Sequence, residues 1–229
     1  MIAERMGPRS HTALALAAML LLTGCLTIEE NYAFKKDGSG TMEYVIDISQ
    51  LAEMMESLSG LSDGKGKKAD EPTMDLGAEA AGLKKLSGVK KVKVKKEKDG
   101  YVQRLSFRFA DLNALNSALN LIMPDSTERP TTFFIWDGNT LVRSNNQHAL
   151  EMGEGMGAVE QADSSETEGL LKSMQYKYRS CFQEPIGSTA IADGVIKEEP
   201  DPMTVKLNTD WSVIMRDPAA LDLRITLTR

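Results

Sequence analysis

Side chains that commonly carry catalysis are scarce in this chain of 229 residues, which contains two cysteines and two histidines. Only His148 lies beyond the N-terminal segment. Nucleophilic catalysis needs a positioned base, and a zinc site needs clustered His or Cys ligands. No glycine-rich phosphate loop occurs. The sequence therefore predicts no enzyme, no metal and no cofactor. A hydrolase that uses a pair of carboxylates stays open, because acids are abundant and their separation is unknown.

The N-terminal segment has the composition of an export signal. Arg5 and Arg9 precede an apolar run over residues 13–22. This run is about half the ~20 residues that a membrane-spanning helix needs, so it predicts a removable signal peptide over residues 1–24. The run ends in Leu22-Thr23-Gly24-Cys25. These four residues resemble the lipobox of bacterial lipoproteins, in which the cysteine is acylated; the alternative is an ordinary signal peptide with an incidental cysteine.

Lipidation of Cys25 would fix the protein to a membrane. Each buried acyl methylene contributes about 0.8 kcal/mol, so palmitate-like chains on a diacylglyceryl group and on the amine give a lasting anchor. The next residue is Leu26 rather than Asp. The resemblance to enterobacterial sorting then favours the outer membrane over the plasma membrane. Cys181 is left without a disulfide partner, and we expect it to be an inert, half-exposed thiol.

One predicted strand pair concentrates positive charge on a single face. Strands over 89–98 and 101–109 flank an Asp99-Gly100 turn and pair Val94 with Leu105. The alternate positions then form a basic face of Lys91, Lys93, Lys95, Arg104 and Arg108. This face is either a solvated surface, partly neutralised by acids of a neighbouring hairpin, or a docking surface for anionic lipid or polysaccharide. The net charge of −6 argues against binding to nucleic acid.

Alternation of apolar and polar residues predicts the elements that would position this face. The first hairpin, over 27–48, turns at 37–39 and pairs Phe34 with Met42; its opposite face is acidic and carries Glu43. The further predicted elements are short helices over 50–59, 74–86 and 111–123, the last capped by Asp111, a third hairpin over 131–143, and strands over 174–182, 189–192, 203–207 and 221–227. Together they predict an α+β domain over 25–229, in which an antiparallel sheet built from hairpins carries two or three short helices on one face.

Two segments have the composition of mobile loops. Residues 60–74 are rich in Gly and Lys, and residues 144–169 contain acids and glycines without Lys or Arg. His148 lies at the edge of the second loop, and residues 198–202 predict an acidic turn. Neither loop contains a calcium-binding pattern.

The order of elements resembles the LppM-like group of bacterial lipoproteins. The residues that carry the resemblance are Asp37-Gly38-Ser39-Gly40, Gly88-Val89, Ser106 to Phe109, Leu115-Asn116, Tyr176 to Pro185 and Trp211. The resemblance implies an envelope domain without catalytic residues. We therefore expect a membrane-anchored binding or assembly module whose partner is an envelope protein, an anionic lipid or a glycan. Thr27 lies two residues, at most about 7 Å, from Cys25, which places that partner at the same membrane.

Overall fold

The computed structural model describes residues 25–53, 56, 75–127, 129–144, 146–155 and 165–228. The predicted signal peptide and the whole of the predicted loop over 60–74 lie outside these residues. The described strands are β1 (Leu26–Phe34), β2 (Gly40–Asp47), β3 (Val89–Glu97), β4 (Val102–Phe109), β5 (Phe134–Asp137), β6 (Thr140–Arg143), β7 (Met174–Cys181), β8 (Ile186–Ile191), β9 (Ile196–Asp201), β10 (Thr204–Asp210) and β11 (Leu223–Leu227). The described helices are α1 (Gly77–Leu83), α2 (Leu112–Ile122), α3 (Gln147–Gly155), α4 (Ser165–Ser173) and α5 (Trp211–Arg216).

The strands form two sheets around one buried apolar cluster. The larger sheet has seven strands in the order β3-β4-β2-β1-β7-β10-β9, and the smaller has four in the order β5-β6-β11-β8. Only the β1–β7 pair is parallel among the described strands. Helices α1 and α2 contact β3, whereas α4 and α5 contact β7 and β10. The predicted α+β class, built mainly from antiparallel pairs, is therefore confirmed. The strands divide into two sheets, and the described residues contain more helices than the two or three predicted.

The first hairpin has the predicted faces with a different register. Tyr32 pairs with Met42, and Phe34 pairs with Gly40 rather than Met42. The turn is displaced by one residue: the Lys35 N–H donates to the Ser39 carbonyl at 2.8 Å, which closes a loop over 36–38 instead of 37–39. A shift of two residues keeps each side chain on its face, since the side-chain period of a strand is two. Ile28, Tyr32 and Phe34 are accordingly buried, as predicted.

The basic hairpin is confirmed near its turn and differs at its far end. Val94 pairs with Leu105 and Lys95 with Arg104, as predicted. A β-bulge between Lys90 and Lys93 then inserts residues into β3, and Lys91 takes a left-handed φ of 55°. Lys90, rather than Lys91, therefore lies opposite Arg108. Bulges of this kind bend and twist a strand, and they are common at sheet edges.

Two predicted helices of the first half are confirmed. The carboxylate of Asp111 accepts a hydrogen bond from the Ala114 N–H at 2.8 Å and caps α2. Helix α1 is shorter than predicted, and Leu83 on its apolar stripe is buried. Residues 49–53 are helical too, and the rest of the helix predicted over 50–59 lies largely outside the described residues.

The prediction of a disordered loop over 144–169 is wrong where the structure describes that segment. Residues 147–155 form α3 and residues 165–169 begin α4, while 156–164 lie outside the described residues. Helix α3 is held by tertiary contacts: the Trp211 Nε1–H donates to the Ala149 carbonyl at 3.0 Å. A Cβ at Gly153 would lie 2.9 Å from the Trp211 ring, so this glycine permits the close approach. Composition alone carries no signal of such a contact.

The C-terminal strands are confirmed with one addition. Strands β7, β8, β10 and β11 occupy the predicted positions. The segment predicted as an acidic turn is β9, which pairs with β10 and is exposed along its whole length. Its charges and Pro200 are typical of a sheet edge, where they prevent pairing with other chains.

Candidate binding surface

The five predicted basic residues lie together on the outer face of the larger sheet. Strand β4 is hydrogen-bonded to β2, so each row of side chains continues from the basic hairpin onto the first hairpin. One such row runs from Lys93 through Ser106, Glu43 and Asn31 to Arg179 on β7. The structure therefore adds Arg179, which the sequence analysis did not select.

The half of this basic face nearest the β3–β4 turn is neutralised by acids. Lys95 Nζ lies 2.7 Å from the Glu97 carboxylate, and Arg104 lies 3.5 Å from both Glu97 and Glu43. The hydrogen bond from Lys95 is the main cause that lowers the pKa of the Glu97 carboxyl. Glu43 belongs to the first hairpin, so the predicted neutralisation by a neighbouring acidic face is present at Arg104.

The other half keeps its positive charge. Lys91, Lys93, Arg108 and Arg179 make no ion pair with another described residue. All four are exposed, and they surround a depression of about 320 Å³. The acid that lines it is Glu43. We call Lys91, Lys93, Arg108 and Arg179 the cationic group.

The basic face is open to solvent in the part of the chain that the structure describes. Leu105, Phe107 and Phe109, which alternate with Arg104, Ser106 and Arg108 along β4, are buried in the core. The core therefore contacts the inner side of β4, and the cations project from the opposite side. An exposed cluster of like charges is free to meet an external anion.

The proposed lipidation site adjoins the central strand of this sheet. Cys25 is half-exposed, and β1 begins at the next residue. Strands rise about 3.3 Å per residue. The row that contains Asn31 therefore lies about 20 Å from Cys25 along β1, and the row that contains Ala33 and Arg108 about 26 Å. The cationic group thus lies within one strand length of Cys25.

A second group of chemically active side chains is enclosed between the two sheets. Glu30 on β1 and Arg143 on β6 are 0% and 1% exposed, and Arg143 Nη2 donates to Glu30 Oε1 at 2.7 Å. Tyr32 Oη donates to Glu30 Oε2 at 2.5 Å, and Tyr176 Oη donates to Glu30 Oε1. His148 Nε2 lies 3.1 Å from Tyr176 Oη. We call these five residues the buried polar cluster.

Burial and the charges within the cluster together set the protonation of Glu30 and His148. Burial by itself raises the pKa of the Glu30 carboxyl, but the Arg143 guanidinium and three further neighbours outweigh it, so the pKa lies below its ordinary value. Burial lowers the pKa of His148 to about 4. Glu30 is therefore ionised and His148 neutral near pH 7. The Glu30–Arg143 ion pair thus links β1 of the larger sheet to β6 of the smaller sheet.

The buried polar cluster was not predicted, although the sequence contains one signal of it. Glu30 occupies the same parity of β1 as Ile28 and Tyr32, which is the buried one. A charged residue at such a position needs a partner. His148, predicted at the edge of a mobile loop, is instead buried on α3.

Neither a metal site nor a membrane span is found among the residues that the structure describes. No group of three or more His, Cys, Asp or Glu side chains there is arranged to hold a metal ion. Within the same ranges no helix is both long and apolar enough to cross a bilayer.

The fold and surface define a mixed α+β protein with an open, positively charged sheet face. The sequence matches no protein-family model and no curated protein. Among solved structures, the chain is similar to the NMR structure of the folded domain of Mycobacterium tuberculosis LppM. That similarity has a TM-score of 0.46 and 12% sequence identity, and it covers 90% of this chain and 91% of that one.

Proposed function

We propose that the protein is a lipid-anchored lipoprotein of the cell envelope that works by binding rather than by catalysis, and that its basic face binds anionic lipid headgroups. The observation that carries this proposal is the cationic group, four exposed cations that make no ion pair with a described residue and surround one depression. The Leu22–Cys25 motif supports the anchor, and its Leu26 favours the outer membrane.

The distance from Cys25 favours one orientation on the bilayer. Electrostatic attraction between exposed charges falls off over about 8 Å at physiological salt. If β1 stood upright on the membrane, Arg108 would lie about 26 Å from the anchor and beyond this range. The basic face therefore contributes to binding when the sheet lies along the membrane, which the short connection to Cys25 permits.

Neutralising two lysines of the cationic group is expected to weaken binding to anionic vesicles by at least about tenfold. Each Lys or Arg near an anionic bilayer contributes about 1 kcal/mol. The variant is Lys91→Gln with Lys93→Gln, in a Cys25→Ser chain so that acylation does not mask the effect. The measurement is co-sedimentation with phosphatidylglycerol vesicles and with neutral phosphatidylcholine vesicles.

The matched control removes the same charge elsewhere. Lys84 and Lys85 follow α1 and are exposed but lie off the basic face, so Lys84→Gln with Lys85→Gln should bind like the parent. Equal binding by both double variants would reject the basic face as the site. Binding to an anionic polysaccharide or an envelope protein, with none to vesicles, would reject lipid as the partner.

The anchor has a separate test. Replacing Cys25 by Ser is expected to abolish incorporation of labelled palmitate and to release the protein from the membrane fraction. Cys181 is the other cysteine of the sequence, so Cys181→Ser is the control. This variant should leave palmitate incorporation and membrane association unchanged. Retention of the Cys25→Ser protein in membranes would mean that residues 1–24 act as an uncleaved anchor.

A further inference from the structure

A cleft opens between the two sheets at the end of β1 that is farthest from Cys25. It has a volume of about 240 Å³ and is lined by the turn after β1, the turn after β5 and the segment after β7. Phe34, which ends β1, lies nine residues after Cys25, a separation of about 30 Å along the strand. We call this opening the end cleft. It shares no residue with the depression around the cationic group.

The inner wall of the end cleft is aromatic. Phe34 and Phe182 are stacked with ring centroids 5.5 Å apart and an interplanar angle of 14°. Trp136 meets Phe34 edge-on at 6.5 Å and is half-buried, while both phenylalanines are buried. The Trp136 ring is therefore the large apolar surface that a ligand could cover.

The rim of the end cleft carries both positively and negatively charged side chains, together with uncharged hydrogen-bonding groups. Lys36 Nζ lies 3.2 Å from the Glu184 carboxylate, and the Lys36 N–H donates to Gln183 Oε1 at 3.2 Å. Among the described residues, the Gln183 amide nitrogen and the Trp136 indole N–H have no hydrogen-bond partner. The rim thus offers two free donors, together with the second oxygen of Glu184 as an acceptor.

This chemistry selects a neutral, polyhydroxylated ring. Lys35 and Lys36 would repel a cationic ligand, and Asp37 and Glu184 would repel an anionic one. A hydrocarbon chain would leave the polar groups of the rim without hydrogen-bond partners. A sugar ring has an apolar C–H face that an aromatic side chain can cover, and hydroxyl groups at its edge for donors and acceptors. A volume of about 240 Å³ falls below the ~300 Å³ at which drug-sized pockets begin, so it suits one ring of a longer glycan.

We propose that the end cleft binds a neutral saccharide, with Trp136 covering the ring face and Gln183 and Glu184 holding its polar edge. An N-acetylated sugar is the best match, because its amide carbonyl accepts from Gln183 or Trp136 and its methyl group contacts the aromatic wall. This site is distinct from the basic face and does not depend on it.

The experiment uses the protein's own tryptophans. The chain has two, Trp136 in the cleft and Trp211, which is fully buried. Titration of the purified protein with a β-linked N-acetylglucosamine tetrasaccharide should change the tryptophan emission saturably. Gln183→Ala should raise the dissociation constant by about threefold to tenfold, which is the effect of losing one hydrogen bond. Trp136→Leu should remove binding measured by calorimetry.

Controls separate this site from the proposed lipid surface. The Lys91→Gln, Lys93→Gln protein should bind the tetrasaccharide as the parent does, and Gln183→Ala should bind vesicles as the parent does. Far-ultraviolet circular dichroism and thermal unfolding check that each variant is folded. Unchanged emission up to the solubility of the sugar, or undiminished binding by folded Trp136→Leu and Gln183→Ala, would overturn the proposal. So would binding of a tetrapeptide with none of the sugar.

Discussion

Replacing Arg143 with methionine is expected to lower the free energy of unfolding by about 3–5 kcal/mol. The substitution leaves the Glu30 carboxylate buried between the sheets without its charged partner, and an unpaired buried charge is costly. It also removes the hydrogen bond from Arg143 Nη1 to the Leu221 carbonyl, which is 2.9 Å long. Urea unfolding followed by circular dichroism measures the change.

The chain offers a matched exposed pair as a control. Arg224 Nη2 lies 3.2 Å from Asp137 Oδ2, the same kind of contact, but both side chains are more than half exposed. Arg224→Met should therefore cost no more than about 1 kcal/mol. Adding Glu30→Gln to Arg143→Met should restore part of the lost stability, because the buried charge is gone. A cost for Arg143→Met as small as that for Arg224→Met would contradict the role assigned to the buried polar cluster.

Lowering the pH from 7 to 4.5 is expected to remove about 2–3 kcal/mol of stability through His148. Burial lowers the pKa of this ring in the folded state to about 4 from an ordinary value of 6.5. The unfolded chain therefore takes up a proton at a higher pH than the folded chain does. The stability that the neutral His148 ring contributes is fully present above pH 6.5, and it is lost as the pH falls toward 4. Glu30, whose pKa is also lowered, extends the loss below pH 4.5.

The pH effect can be assigned because histidines are rare in this chain. His148 faces Tyr176 and lies near Glu30, Arg143, Asp125 and Glu151, which all act on its pKa. His148→Phe should keep the aromatic contact with Phe133. It should also make the free energy of unfolding nearly independent of pH between 7 and 5. The other histidine, His11, belongs to the predicted signal peptide, so His148 is the histidine of the predicted mature chain. An equally steep loss of stability in the His148→Phe protein would reject His148 as its source.

The buried cluster and the two proposed sites divide the molecule by function. Glu30 and Arg143 join the sheets and therefore fix how the rim of the end cleft is assembled, because β1 and β5 lie on different sheets. The cationic group uses the outer face of the larger sheet alone. We therefore expect loss of the buried ion pair to disturb saccharide binding before it disturbs vesicle binding.

Local features of the sequence determined much of the secondary structure. The alternation in β1, β2, β4 and β7 identified their buried faces, since neighbouring side chains of a strand point to opposite sides. Asp111 marked the start of α2 because a carboxylate satisfies free N–H groups of the first turn. The Asp99-Gly100 turn brought Lys95 opposite Arg104. Each of these signals lies within a few residues of the structure that it predicts.

Only the tertiary structure decided which strands are neighbours and what covers each face. The parallel pairing of β1 with β7 brings Arg179 to the cationic group, and the meeting of two sheets brings Arg143 to Glu30. Helix α3 forms where composition indicated disorder, because Trp211 packs against it from a distant part of the chain. Periodicity shows that a side chain is turned inward, but it does not show what it will meet there. That depends on contacts between distant segments, whose free energy is gained only when the whole core assembles.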